Sequence, residues 1–153
     1  MRNQKKLIVQ QLDEKLRPFK GSEKVYLPVK GWIHTIRNSF GMTLEQLGKK
    51  IGITRQGVHY IEESEAAGSI SIKTMLEVGN AMDLKFVYGF VPKDSSFQQL
   101  IDKKAATLAR KIVQRTHQNM ILEGQENNDK QIQLAIKELT EELKREMPKA
   151  LWD

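Results

Sequence analysis

Apolar residues recur at helical spacing along most of the chain. Ile8, Leu12 and Leu16 stand four apart and predict a helix over about residues 3–17, ended by Pro18 and Gly21. Val25 to Val29 is a short apolar connection in which Pro28 disfavours a regular helix. Trp32, Ile33, Ile36 and Phe40 make the buried stripe of a second helix, closed by Gly41. A short third helix follows over residues 43–50, with Thr43 and Gln46 at the spacing of a capping box. Thr54 caps a fourth helix that runs to about Glu62, and Ser71 caps a fifth that runs to about Met82.

The pattern changes at Leu84. The run to Val91 is rich in aromatic and branched residues at a period nearer two, which predicts a strand ended by Pro92. A lone strand needs a partner, and the simplest partner is the same strand in a second copy. Phe86, Tyr88 and Phe90 would form that dimer contact. From Ser95 the helical period returns, with Phe97, Leu100, Ile101, Ala105, Leu108 and Ile112 on one stripe. After a break at Gly124 and Asn127-Asn128, a last helix carries Ile132, Ile136, Leu139, Leu143 and Met147 on one face and stops at Pro148.

The reading is therefore an all-α protein with one short dimerising strand. Residues 1–30 form a basic N-terminal helix and arm, 31–93 a compact helical core with its strand, and 94–153 a C-terminal helical extension.

Charge is unevenly distributed along the chain. The net charge is +6, and residues 1–40 hold nine Lys/Arg against three Asp/Glu. The excess stands ahead of the core, either as an arm that attracts phosphate or as a solvated basic helix. The absence of cysteine excludes disulfides and thiolate metal sites and fits a reducing cytoplasm. No apolar run is long enough for a membrane span, and no secretory leader is expected.

The chemistry sits in residues 44–62. Two helices meeting at a steep angle need a small residue at their contact, supplied by Gly48, and a positive φ in the turn, supplied by Gly52. Leu47, Ile51, Ile53, Val58 and Ile61 take the positions that must face the core. This is a helix-turn-helix, whose second helix presents its first residues to base edges in the major groove. Here those are Arg55, Gln56 and Gly57, with His59 and Tyr60 one turn on. Arg pairs both acceptors of guanine, and Gln pairs adenine in the same bidentate way. Arg55 could instead hold a phosphate, and Tyr60 could pack on the sugar-phosphate chain. Thr43, Thr54, Ser69, Ser71 and Lys73 are the candidates for gripping the backbone at helix starts, although Ser71 also suffices as a plain cap.

Other chemistry is not visible. His34, His59 and His117 lack metal-ligand spacing, and no phosphate-binding glycine loop or nucleophile elbow occurs. No cofactor and no enzymatic activity are expected.

Residues 31–93 resemble the lambda-repressor-like (Xre/Cro) helix-turn-helix family, and within it the branch called mobile mystery protein A. The run SEAAGSISIKT followed by VYGFVP carries the resemblance. It implies a DNA-binding antitoxin or regulator of a Fic-domain toxin, a transferase of AMP; together with the strand, the reading is a homodimeric repressor of double-stranded DNA. Fic inhibitors carry Ser/Thr-x-x-x-Glu-Gly/Asn, whose glutamate engages an arginine of the Fic protein. This chain has Asn119, Glu123 and Gly124 at those positions and departs from the pattern at Asn119. A helix end on Glu-Gly would explain the same residues without inhibition. A protein-binding inhibitor acting through the C-terminal helices, with only weak DNA binding, is the competing function.

Overall fold

The computed structural model describes residues 2–122 and 128–153. Among them are seven α-helices and no strand: α1 (Arg2–Leu16), α2 (Trp32–Ser39), α3 (Leu44–Ile51), α4 (Arg55–Ala67), α5 (Ile72–Ala81), α6 (Phe97–Leu122) and α7 (Asp129–Glu146). Short 3-10 turns follow α1 and α7. The chain divides into two compact units, Gly21–Gly89 and the pair of segments Met1–Lys20 and Phe90–Asp153.

In the Gly21–Gly89 unit, α2 to α5 surround a core of Ile33, Leu47, Val58, Val78 and Met82. Ile36, Leu44, Ile51 and Ile61 pack against it. Ile53 and Phe40, expected inside, are exposed. Ile53 lies in the turn between helices, and Phe40 lies past the last residue of α2.

Caps explain most of the helix starts. Thr43 and Gln46 form the capping box at α3, with reciprocal bonds of 3.1 and 2.9 Å. Thr54 accepts from the Gly57 amide at α4, and Ser71 from the Thr74 amide at α5. Helix α2 begins on Gly31 without a side-chain cap of its own. The Glu65 carboxylate of α4 supplies one from 32 and 33 residues away, accepting from the Trp32 and Ile33 amides at 2.8 Å each. Each such bond satisfies a helix-end amide that has no partner within its own helix.

The predicted strand is not formed. After α5 the chain turns at Asp83, which sits at φ 58°. The Leu84 amide then bonds the Gly79 carbonyl at 2.8 Å. Leu84 to Val87 runs over α5, where Leu84, Phe86 and Val87 line an apolar cavity of about 300 Å³ with Trp32, Met75 and Met82. A ladder requires a second extended segment, and a single chain offers none here among the described residues. The alternation survives locally, since the Phe86 and Tyr88 rings stack with centroids 5.8 Å apart.

In the other unit, α6 and α7 pack along their length around Ala105, Ala109, Leu143 and Leu151, with Leu108, Ile136, Leu139 and Met147 at the margin. Helix α1 packs on both. It is held by Asp13, whose carboxylate accepts from the Phe97 and Gln98 amides at 2.7 and 3.3 Å and so caps α6. Lys5 Nζ donates to the Glu146 carbonyl at 2.7 Å, placing a cation on the negative end of α7. The half-buried face of α1 is therefore Val9, Asp13 and Leu16, whereas Ile8 and Leu12 are exposed. Asn128 and Gln131 form a second capping box at α7.

Candidate nucleic-acid interface

The turn between α3 and α4 is built on two glycines, each for a different reason. Gly52 ends α3 at φ 89°, a conformation that side chains disfavour. Gly48 lies so close to the turn that a Cβ there would stand 2.7 Å from the Ile53 carbonyl oxygen and 3.4 Å from Val58. The Gly48 carbonyl accepts from both the Gly52 and Ile53 amides, at 2.7 and 2.9 Å. This lets α4 leave at once after α3.

Beneath α4 lies a buried ion pair. Arg37 Nε and Nη2 donate to the Glu62 carboxylate at 2.9 and 2.8 Å, and Arg37 Nη1 donates to the Met42 carbonyl at 2.8 Å. His34 Nδ1 meets the same carboxylate at 3.1 Å. The bidentate guanidinium couples the end of α2 to the middle of α4, which fixes how α4 is presented. The Glu62 and Glu65 carboxylates both act inside the unit, on the Arg37 guanidinium and on the first amides of α2.

The residues expected to face DNA are found in different states. Thr43, Thr54, Arg55, Gln56, His59, Tyr60, Ser69, Ser71 and Lys73 are exposed, and Gly57 is half-buried. The hydroxyls of Thr43, Thr54 and Ser71 are committed to their caps. Ser69 Oγ reaches the Ser64 carbonyl at 3.4 Å. His59 Nε2 lies 3.0 Å from Glu63, one turn on along α4. Arg55 and Gln56 have no hydrogen-bond or ion-pair partner among the described residues, so the first turn of α4 presents two uncommitted polar side chains. Arg55 shares an open cavity of about 380 Å³ with Thr43, Leu44, Glu45 and Arg37, which brings the starts of α3 and α4 together on one face. Asn119 is exposed on α6, whereas Glu123 and Gly124 lie outside the described residues. No group of three or more His, Cys, Asp or Glu able to hold a metal occurs among the described residues. No helix there is long and apolar enough to cross a membrane.

A tight two-helix turn, a capped second helix with free polar residues in its first turn, and a scaffold of flanking helices make a helix-turn-helix domain. Residues 33–88 match the sequence model of the helix-turn-helix family HTH_3, and so carry a domain of that kind. The match covers α2 to α5 and the segment after them. No curated protein and no solved structure matches the chain.

Proposed function

We propose that the chain is a sequence-specific transcription regulator, without enzymatic activity, that reads an operator with the first turn of α4. The observation that carries this reading is the free, exposed pair Arg55 and Gln56, set by a rigid turn and a buried ion pair. Arg55 would take guanine and Gln56 adenine, each discriminating by about 1–3 kcal/mol. Thr43 and Thr54 stand at helix starts, where backbone amides and the helix dipole favour phosphate. Gly57 lets the duplex approach, and Tyr60, Ser69 and Lys73 flank that contact. Selection of duplexes from a random pool should recover a defined site. Arg55→Ala and Gln56→Ala should each lose about 5- to 150-fold in affinity for it at fixed salt. Unchanged affinity would overturn the assignment of α4 as reader.

The regulator acts as a homodimer in this reading, joined through the exposed apolar arm that includes Tyr88 and Phe90 next to Phe86. Its operator then has two half-sites about one helical turn apart.

The resemblance to mobile mystery protein A adds a second role, as cytoplasmic antitoxin that represses its own operon and restrains a Fic-domain toxin. It rests on that resemblance and on the order Asn119, Glu123, Gly124. A carboxylate at Glu123 would occupy the arginine that otherwise grips phosphate. With a co-expressed Fic partner, Glu123→Gly should release AMP transfer. Full inhibition by that variant would remove the glutamate mechanism.

A further inference from the structure

The reading unit is nearly neutral. Within Gly21–Gly89 eight Lys/Arg face seven Asp/Glu, whereas Met1–Lys20 with Phe90–Asp153 holds 17 against 12. Nearly all the positive excess that a duplex would attract belongs to the helical unit. Within that unit, α6 has five cations, Lys103, Lys104, Arg110, Lys111 and Arg115, and one acid, Asp102. Lys103 is neutralised by Asp94.

Lys104, Lys111 and Arg115 are different. They fall at i, i+7 and i+11, on one helical face, and line an open cavity of about 250 Å³ together with the hydroxyl-bearing Thr107. All three are exposed. None makes an ion pair among the described residues, and one acid, Asp153, shares the cavity with them. Three long cations crowded on one face repel each other and gain little stability for the fold, so a ligand anion is the natural counter-charge.

We propose that this face of α6 is a second DNA contact, gripping backbone phosphates of the duplex whose sequence α4 reads. The proposal rests on the reading given under Proposed function. The occupant is a duplex backbone rather than a single phosphate because the charges form a row. They are spaced about 10 and 6 Å along the helix at 1.5 Å per residue. A DNA strand offers one phosphate per about 3.4 Å of axis, so a row about 16 Å long is longer than one phosphate can fill and suits a run of them. The helical unit supplies affinity without sequence preference, and α4 supplies the preference. This division matches the charges of the two units.

The test uses the full chain and a long duplex containing the site it selects from a random pool. Affinity is measured across a salt series. Neutralising three phosphate contacts lowers the log-log salt slope by about 2.7. The variant Lys104→Ala/Lys111→Ala/Arg115→Ala should therefore lose about 40-fold less affinity than the native chain between about 50 and 200 mM salt. Its preferred sequence should be unchanged. Lys130→Ala/Lys137→Ala/Arg145→Ala removes the same net charge from exposed positions of α7 and should keep the native slope. If both triple variants lower the slope equally, or if the α6 variant leaves it unchanged, the contact does not exist. A native chain that selects no duplex at all would refute the α4 reading instead. Thermal unfolding followed by circular dichroism confirms that the exposed substitutions leave the fold intact.

Discussion

Arg37 and Glu62 form the most consequential side-chain pair beneath the reading surface. Both are buried, at 7% and 4% exposure, so loss of either leaves the other's charge in a dry site. Arg37→Met should cost about 3–5 kcal/mol, read as a fall in Tm or in the denaturant midpoint. Arg37→Met/Glu62→Leu should recover most of that, because the uncompensated carboxylate is gone. Operator binding by the double variant tests a separate point. If it stays native while stability recovers, the pair serves packing and not the aim of α4. The chain order concealed this pair. Its members lie 25 residues apart, and Arg37 stands outside the motif that ends on Glu62. Gly48 and Gly52 were legible for the opposite reason: their constraint is local and tied to one turn. Arg55 and Gln56 were legible as the first turn of the helix capped by Thr54. The caps at Thr43, Thr54 and Ser71 were legible too; what the sequence did not reveal is that Arg55 and Gln56 keep no partner among the described residues.

Each unit contains a helix whose start is capped from another helix. Glu65 caps α2 within the reading unit, and Asp13 caps α6 within the helical unit. Local caps such as Thr43 with Gln46 show in the sequence because the two residues are three apart, whereas a cap from 84 residues away leaves no local signature. This explains why the first helix reads as a separate basic arm. Its apolar residues suggested a face through Ile8, but the polar Asp13 determines which face turns inward. Asp13→Ala should cost about 0.5–2 kcal/mol, as loss of a helix cap does. Hydrogen exchange should locate the effect, with faster exchange at the Phe97 and Gln98 amides and along α1. Unaltered protection there would show that apolar packing alone holds α1 in place. Segment 84–90 misled in the other direction. Its alternation was legible and persists in the stacked Phe86 and Tyr88 rings, but a strand is defined by its partner, and a single chain offers none in this region.

At the scale of the whole molecule, the question is what covers the apolar arm. Val87 and Tyr88 are 61% and 62% exposed, next to the apolar cavity between α2 and α5. Clustered exposed apolar surface of this kind marks interaction sites in soluble proteins. A single reading turn contacts only a few base pairs, so a useful operator length requires either a second copy or a second contact. The phosphate face on α6 can add affinity but no information, because backbone phosphates are the same at every step. Sequence discrimination over a genome therefore argues for two reading turns, which is what a two-fold dimer supplies. Sedimentation of the native chain at micromolar concentration should give a dimer. Val87→Asp/Tyr88→Asp should give a folded monomer with an unchanged helical spectrum. That monomer should still bind a half-site weakly, with the same base preference at Arg55 and Gln56, and should lose its dependence on half-site spacing. A native chain that sediments as a monomer, or an aspartate variant that remains a dimer, would exclude this surface as the interface.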